Sequence, residues 1–253
     1  MEMTPYEYKF LKYAVYFGYS ISKHGNDWEI CKESAFFRMT VDTLPWTLWN
    51  NIIISQYNAL DFKGKVVLDV GGYIGDSAVL FHHLGAEKII IYEPVKEHLP
   101  LIMKNIELNH INAEVKNLGV GESKGVLEVP FRNLDLRFGL AGTNTENWEK
   151  RDIVLEDVKT VILESHADIA KFNCEGCEEA ILGLDCDTMR TIPAWVLEIH
   201  GERLEKQLLE KFNDAGFEKF LPHKSTFHRS NYIFKRIADY QGCEEKRGLT
   251  FEH

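Results

Sequence analysis

The sequence of 253 residues lacks several features that would assign it to a specialised class of protein. It has five cysteines, an odd number that does not suit a disulfide framework in a chain of this length. No apolar run approaches 18 residues, so no membrane span is expected. The first residues, MEMTPYEYKF, lack the basic and apolar regions of a signal peptide. These absences predict a cytoplasmic protein without membrane association.

Positive charge is also scarce in this sequence. Lys and Arg number 29 against 39 for Asp and Glu, which gives a formal net charge of −10. Proteins that bind nucleic acids usually present a basic face, so this balance argues against a nucleic-acid partner. Hydrophobic residues make up 45% and charged residues 27%, which is ordinary for a globular protein. The length suits one large α/β domain with an appendage.

The first 62 residues differ in composition from the rest and are rich in aromatic side chains. The spacing of Phe10, Tyr13 and Phe17 predicts a helix, and residues 44–60 predict a second helix opened by Pro45. Residues 29–41 fit either a short hairpin or an irregular piece. We therefore expect a mainly helical N-terminal extension over residues 1–62. It either closes over a ligand, packs a homodimer or only caps the main domain.

Short apolar runs alternate with amphipathic stretches through residues 63–253. The runs KVVLDV, KIIIYEP, AEVKNLGVG, IAKFNCEG and AWVLEIHG predict buried strands separated by helices. This alternation predicts an α/β domain with a doubly wound, mostly parallel, Rossmann-like sheet. The run TFHRSNYIFKRI predicts an antiparallel strand at the C-terminal edge of that sheet. Ligands bind such sheets outside the carboxyl ends of the strands.

The stretch VLDVGGYIGDSAV, residues 67–79, forms the first turn after a predicted strand. A dinucleotide fingerprint, G-x-G-x-x-G, fails because Tyr73 and Asp76 stand where its second and third glycines belong. A phosphate loop fails because Asp76 and Ser77 follow Gly75 in place of Lys and Ser or Thr. A tight glycine turn with acids at both ends favours a ligand that is cationic or lacks phosphates.

A second acid, Glu93, ends the next predicted strand, 18 residues past Gly75. A carboxylate there is placed to accept the two ribose hydroxyls of a nucleoside. Gly71, Gly72 and Gly75 let a backbone approach a ligand closely. Together with Asp69, these features favour S-adenosylmethionine, which has a sulfonium, a ribose and an amino-acid tail. The alternative interpretation is a tight strand–helix turn with a solvated acid.

Seven motifs follow one another over about residues 65–201: DVGGYIG, YEP, MKNIELN, NLGVGE, VLEDV, KFNCEGCEEAILG and LEIHG. In this order they resemble the FkbM-like family of class I S-adenosylmethionine-dependent methyltransferases. The resemblance implies O-methylation of a small-molecule or sugar-like hydroxyl. It also implies cofactor binding by a set of residues in the first three turns: Asp69, Gly71, Gly72, Tyr73, Gly75, Asp76, Ser77, Glu93, Pro94, Asn117 and Leu118. For Asn117, a bond to the adenine edge and a turn-forming role are both open.

The main departure from the family pattern lies at Asn173, where the family usually has Asp. An amide cannot act as a general base and is a poor ligand for a hard cation. The candidate catalytic set is therefore Asn173, Glu175 and His200, with Glu175 and His200 as candidate bases. Glu178 could serve either as a base or as a favourable charge at a helix N-terminus. The alternative function is a cofactor-binding protein of the same fold whose transfer activity is lost or altered.

Cys174 and Cys177 form a C-x-x-C pair, which alone would suggest a redox pair or half of a zinc site. The sequence contains no second C-x-x-C, and the family pattern has Val and Ala at these positions. We therefore expect two small buried side chains and no metal.

Overall fold

The structure, a computed structural model, describes residues 5–16, 18–25, 27–40, 56–132, 137–138, 148–220 and 231–238. The strands are β1 (Ser20–His24), β2 (Asp27–Lys32), β3 (Ala35–Thr40), β4 (Val66–Val70), β5 (Lys88–Tyr92), β6 (Ala113–Lys116), β7 (Gly119–Gly121), β8 (Gly125–Arg132), β9 (Arg137–Phe138), β10 (Glu149–Asp157), β11 (Ile169–Phe172), β12 (Ala194–Glu198), β13 (Phe217–Phe220) and β14 (Asn231–Arg236). The α-helices are α1 (Pro5–Tyr16), α2 (Asp76–His83), α3 (Leu99–Asn109), α4 (Val158–Ser165), α5 (Cys186–Arg190) and α6 (Glu202–Asp214). Three segments are 3₁₀ helices: Gln56–Ala59, Lys96–His98 and Cys177–Gly183.

A seven-stranded sheet in the order β6-β5-β4-β11-β12-β14-β13 forms the centre of the protein. Strands β6, β5, β4, β11 and β12 are parallel, which confirms the predicted mostly parallel α/β sheet. β14 runs antiparallel to β12, as predicted, but it is not the edge strand, because β13 pairs with its other side. The four residues of β13 are largely exposed, so they carry no apolar run that a sequence pattern could show.

The central strands are held by burial on both faces of the sheet. In β4, Leu68 and Val70 enter one apolar core, while Val67 enters another on the opposite face. In β5, Ile90 and Ile89 divide between the two faces in the same way. Each such side chain contributes roughly 1.5–3 kcal/mol to stability when fully buried. This two-sided burial explains why these strands read as continuous apolar runs.

The described part of the N-terminal extension contains more strand than helix. After α1, strands β1, β2 and β3 form an antiparallel three-stranded sheet, so the prediction of a mainly helical extension is wrong for residues 20–40. Buried and less buried residues alternate along β2 and β3, which is the period of a half-buried strand. Of the two alternatives for residues 29–41, the hairpin is confirmed. Residues 41–55, which include most of the second predicted helix, lie outside the described residues.

Two asparagines of α3 attach this small sheet to the main domain. Asn105 Oδ1 accepts from Arg38 N at 2.6 Å, and its amide donates to Arg38 O at 3.0 Å. Asn109 makes the same pair of bonds with Phe36, at 2.8 and 2.7 Å. Asn105 also donates to Ile74 O at 2.8 Å, in the turn after β4. The MKNIELN motif therefore joins the extension to the glycine turn.

A second sheet, in the order β7-β10-β8-β9, follows the third strand of the main sheet. The prediction of one strand over AEVKNLGVG is wrong, because the chain leaves the main sheet after β6 and β7 pairs with β10. Within this second sheet, β8 and β10 form a long antiparallel pair. Val126, Leu127 and Val154 are exposed on this pair, so apolar residues do not mark its buried face.

No helix within the described residues combines the length and the apolar character needed to cross a membrane.

Candidate functional site

The turn after β4 is shaped by close packing against two neighbouring strands. Gly71 has φ +82°, and a Cβ there would lie 1.9 Å from the carbonyl oxygen of Asn173, next to β11. A Cβ at Gly72 would lie 2.2 Å from Ile91 Cγ2 on β5. Such contacts are impossible for a side chain, so both positions require glycine. The protein's own packing therefore accounts for these glycines. The sequence interpretation instead explains them by the close approach of a ligand.

A buried ion pair lies beneath this turn. Lys171 Nζ on β11 is 2.8 Å from Asp69 Oδ1 on β4 and donates to the carbonyl oxygen of Gly71 at 2.6 Å. Asp69 Oδ2 accepts from the hydroxyl of Ser77 at 2.5 Å. Burial lowers the pKa of the Lys171 ammonium, but the Asp69 carboxylate outweighs this and holds that pKa above its usual value. Lys171 therefore stays charged and neutralises Asp69.

This pair changes the expected role of Asp69. The sequence interpretation placed a cationic ligand near this carboxylate, whereas the cation that it faces is Lys171. Sequence reasoning missed Lys171, although a lysine inside the apolar run IAKF is itself a signal. A lysine in a fully buried strand needs an anion, and Lys171 stands in register with Asp69 on the adjacent strand.

The carboxylate of Glu93, after β5, also forms hydrogen bonds with groups of the protein itself. Its Oε2 accepts from Tyr73 N at 2.7 Å, and its Oε1 accepts from Val95 N at 2.8 Å. His98 Nδ1 lies 3.0 Å from the same Oε1, which makes this nitrogen the donor, and the Tyr73 ring packs edge-on against the His98 ring. These bonds use three of the roughly four acceptor positions of a carboxylate. One acceptor position, on Oε2, is not used by these three bonds.

The other residues that the sequence predicts to bind the cofactor lie in different surroundings. Asn117 donates to the carbonyl oxygens of Glu93 and Pro94 at 2.8 and 3.0 Å, as a turn-forming residue would. Asp76 and Ser77 are buried in the first turn of α2. Sequence reasoning missed His98, because a histidine in a short 3₁₀ segment belongs to no periodic pattern.

A cavity of about 610 Å³ opens at the carboxyl ends of β4, β5 and β11. One wall contains the predicted residues Gly71, Pro94 and Leu118. The opposite wall comes from the second sheet and the 3₁₀ segment after β11: Leu127, Ile153, Leu155, Cys177, Ala180 and Leu182. A neighbouring cavity of about 440 Å³ contains Asn117. Of the predicted set, Asp69, Ser77 and Glu93 are buried in the structure that supports the turn.

The predicted catalytic residues meet at the carboxyl ends of β11 and β12. His200 Nε2 lies 3.6 Å from Glu175 Oε2 and 4.0 Å from Glu198 Oε1, and its Nδ1 lies 3.6 Å from Glu178 Oε1. Asn173 donates to Glu198 Oε2 at 2.7 Å. Sequence reasoning missed Glu198, although it is two residues before His200 in LEIHG.

Three carboxylates around one imidazole determine its charge. The Glu178 carboxylate, 3.6 Å from Nδ1, is the largest cause that raises the pKa of His200, to about 9. The charges of Glu175 and Glu198 act in the same direction. His200 is therefore protonated at neutral pH, and the predicted role of a base does not fit it. Among the described residues, no group of three or more His, Cys, Asp or Glu side chains could hold a metal ion.

Glu175 lies in an unusual backbone conformation. Its φ is +59°, followed by Gly176 at +121°. A non-glycine residue in the left-handed region costs roughly 1–2 kcal/mol. Strain of this kind concentrates at functional sites, where the surrounding structure maintains it. The Glu175 side chain is 46% exposed, so a ligand can reach it.

Glu178 holds this turn from below. It is fully buried, and its two oxygens accept from Cys174 N and Gly176 N, each at 2.8 Å. Of the two sequence alternatives for Glu178, the structure agrees with a charge at a helix N-terminus, because Glu178 lies in the first turn of the 3₁₀ segment Cys177–Gly183. Its carboxylate organises the turn that carries Glu175.

Cys174 and Cys177 form a disulfide across the same turn. Their Cα atoms are 5.4 Å apart, within the usual range for a disulfide. The expectation of two small buried side chains is therefore wrong. The positive φ angles at Glu175 and Gly176 fold the turn back on itself, so the two cysteines meet.

No protein-family model matches the chain, and no curated protein matches it in sequence. Among solved structures, it is similar to Aeropyrum pernix fibrillarin with natively bound S-adenosyl-L-methionine (11% identity, 86% of this chain, 98% of that chain, TM-score 0.46). It is also similar to precorrin-6y C5,15-methyltransferase from Geobacter metallireducens (14%, 73%, 85%, TM-score 0.42). A third is ribosomal protein L11 methylase from Lactobacillus delbrueckii subsp. bulgaricus (12%, 73%, 76%, TM-score 0.41). At these identities the likeness concerns the fold, and the FkbM-like resemblance stays a prediction.

The ion pair predicts a large effect of Lys171→Met. The substitution leaves Asp69 buried without its cation, so we expect the free energy of unfolding to fall by about 3–5 kcal/mol in urea denaturation. The double variant Asp69→Asn/Lys171→Met should recover most of this loss. Lys65→Met, which breaks a partly exposed pair with Asp168, should cost less than about 1 kcal/mol. A similar small loss for Lys171→Met would contradict the role of the buried pair.

The acidic surroundings of His200 predict its titration. NMR should find a His200 pKa near 9, and Glu178→Gln should lower it towards 6.5. Because the folded pKa lies above the unfolded one, the resulting stabilisation is complete below pH 6.5 and is lost as pH rises from 6.5 to 9. Glu87→Gln, an exposed substitution before β5, should leave the titration unchanged. A His200 pKa of 6.5 in the unsubstituted protein would refute this arrangement.

Proposed function

We propose that the protein is an S-adenosylmethionine-dependent methyltransferase that acts on a hydroxyl group of a small molecule. The observation that carries the proposal is the hydrogen bond between Tyr73 N and Glu93, which joins the glycine turn to the acid after β5. The cavity of about 610 Å³ opens beside this junction, at the edge where such sheets bind ligands. Its volume suits a ligand of nucleoside size.

The residues around the cavity fit this cofactor in two respects. Glu93 offers its remaining acceptor position, on Oε2, to a ribose hydroxyl. Pro94 and Leu118 offer an apolar surface for the adenine. When bound, the cofactor supplies an electrophilic methyl group on a sulfonium. Asp69 makes no contribution to binding that charge, because Lys171 already neutralises it.

Glu175 is the proposed base for the acceptor hydroxyl. Its carboxylate is half-exposed and lies beside protonated His200, which orients it. Glu175 would take the proton of the acceptor hydroxyl, and the bound cofactor would supply the methyl group. Asn173 donates its amide to Glu198, so it positions that carboxylate and takes no proton. The walls of the cavity supply most of the catalysis by holding the acceptor in line.

The cavity favours an acceptor without phosphate groups. Its far wall is aliphatic, and its charged lining residues are Glu122 and Glu179. Among the described lining residues there is no lysine or arginine that could bind a phosphate. A net charge of −10 also opposes a nucleic-acid substrate. We therefore propose a small acceptor that is neutral or sugar-like, with a hydroxyl reaching Glu175.

The alternative is a protein of the same fold that binds the cofactor and has lost transfer. Asn173 favours it, because an amide replaces the acid usual in the resembling family. Incubation with labelled S-adenosylmethionine and a metabolite extract separates the two functions. Incorporation of label into a small molecule supports the transferase, whereas binding without incorporation supports the alternative.

The proposed cofactor site predicts a binding defect in Glu93→Ala. The variant loses an acceptor for the ribose and for the turn, so S-adenosylhomocysteine should bind about 1–3 kcal/mol more weakly in calorimetry. The control is Glu114→Ala on β6, a surface carboxylate paired with Lys88, which should bind normally. Unchanged affinity in Glu93→Ala would remove Glu93 from the site. Tighter binding of NAD than of S-adenosylhomocysteine would support a dinucleotide enzyme instead.

The proposed base predicts a different pattern for Glu175→Gln. Once an acceptor is found, the methyl-transfer rate should fall about 10²–10⁴-fold, because the amide cannot take the proton. Affinity for S-adenosylhomocysteine should change little, since Glu175 acts on the acceptor. Glu202→Gln, at the exposed start of α6, serves as the matched control and should keep full activity. A normal rate in Glu175→Gln would exclude this residue as the base.

A further inference from the structure

The disulfide between Cys174 and Cys177 occupies a reactive position. Both sulfur-bearing residues are partly exposed, and both line the cavity of about 610 Å³. A small thiol or disulfide can therefore reach the bond through the cavity. Accessible disulfides of this kind are the ones that exchange with external thiols, whereas buried structural ones resist reduction.

The same disulfide fixes the turn that carries Glu175. It closes a loop of four residues, in which Glu175 and Gly176 both have positive φ. The turn also touches the glycine turn, because a Cβ at Gly71 would lie 3.1 Å from Cys174 Cα. Whether the two sulfurs are bonded or reduced therefore affects both the turn that carries Glu175 and the glycine turn packed against it.

Glu178 gives the two cysteines different reactivity. Its Oε1 lies 3.4 Å from Cys174 Sγ, and its buried negative charge disfavours a thiolate at Cys174 in the reduced protein. Cys177 is therefore the first sulfur to react with an external disulfide. Glu178 is then within reach to take the Cys174 proton when that sulfur reacts in turn.

We propose that Cys174 and Cys177 form a reversible thiol–disulfide exchange site on the wall of the cavity, and that its closure holds Glu175 beside His200. Any consequence of this closure for methyl transfer, through the position of Glu175, rests on the function proposed above. The exchange itself depends only on the two cysteines and Glu178. The co-reactant is a low-molecular-weight organic disulfide, with the corresponding thiol for the reverse reaction.

The exchange balances as two successive displacements. The Cys177 thiolate attacks one sulfur of the external disulfide, forms a mixed disulfide and releases one small thiolate. Cys174 then gives its proton to Glu178, and its sulfur attacks Cys177 Sγ and displaces the second small thiolate. Two electrons pass from the protein dithiol to the external disulfide, which is reduced to two thiols. Reduction by the small thiol follows the same steps in reverse.

The test uses the full chain in buffers of reduced and oxidised glutathione. Differential alkylation and peptide mass spectrometry should find Cys174 and Cys177 as thiols in the reduced buffer and joined in the oxidised one. Calorimetry with S-adenosylhomocysteine should find about five- to tenfold weaker binding in the reduced state, because the ligand must then order a freed turn. The double variant Cys174→Ser/Cys177→Ser should bind equally in both buffers.

Cys31→Ser is the matched control, since Cys31 is a free thiol on β2, and it should keep the full response. A disulfide that stays intact in the reduced buffer, or thiols that stay unpaired in the oxidised buffer, would overturn the exchange site. Reversible exchange with equal affinity in both states would overturn its effect on the cavity. Absence of S-adenosylhomocysteine binding in both states would count against the proposed cofactor, while mass spectrometry still decides the exchange.

Discussion

The buried pair of Lys171 and Asp69 is the interaction on which the architecture of the candidate site depends. It joins the two central strands, β4 and β11, at the point where both end. Through the carbonyl oxygen of Gly71 it also fixes the start of the glycine turn, and through Ser77 it fixes the first turn of α2. One ion pair thus sets the relative positions of two strands, a turn and a helix. A buried pair is more favourable when hydrogen bonds support its charges, as the bonds from Ser77 to Asp69 Oδ2 and from Lys171 to the carbonyl oxygen of Gly71 do.

Glu93 repeats the same principle on the next strand. A carboxylate that the sequence suggests for a ligand receives the backbone of Tyr73 and Val95 and the ring of His98. Its charge is thereby used to hold the glycine turn, and one acceptor position is left over. The acids at the ends of these two buried strands therefore serve the rigidity of the glycine turn, which is organised by the protein's own groups.

The fold could be predicted from the sequence where the spacing of apolar residues matches the spacing of buried positions in the structure. β4 and β5 are buried on both faces, so their apolar runs indicate them directly. The second sheet could not be predicted, because Val126 and Val154 are exposed in strands that also carry buried residues. β13 is short and largely exposed, and it forms a strand by pairing with the edge of β14. In these cases tertiary contacts, rather than local pattern, decide the structure.

The sequence could indicate some of the residues that come together at the candidate site, but not the charges that they carry there. The sequence pattern identifies Glu175 and His200, yet it cannot show that Glu178 and Glu198 converge on the same imidazole. This convergence holds the pKa of His200 above its usual value, which is why Glu175, rather than His200, is the proposed base.

The same convergence changes where a positive ligand would be stabilised. Asp69 is neutralised by Lys171, so its charge is not available at the glycine turn. Three carboxylates with one imidazolium leave a formal charge of −2 at the ends of β11 and β12. If the proposed cofactor binds beside this acidic group, the group would attract its sulfonium. The proposed base and the disulfide both lie in the turn from Asn173 to Glu178, so the proposed charge recognition, proton transfer and redox exchange would all depend on this turn.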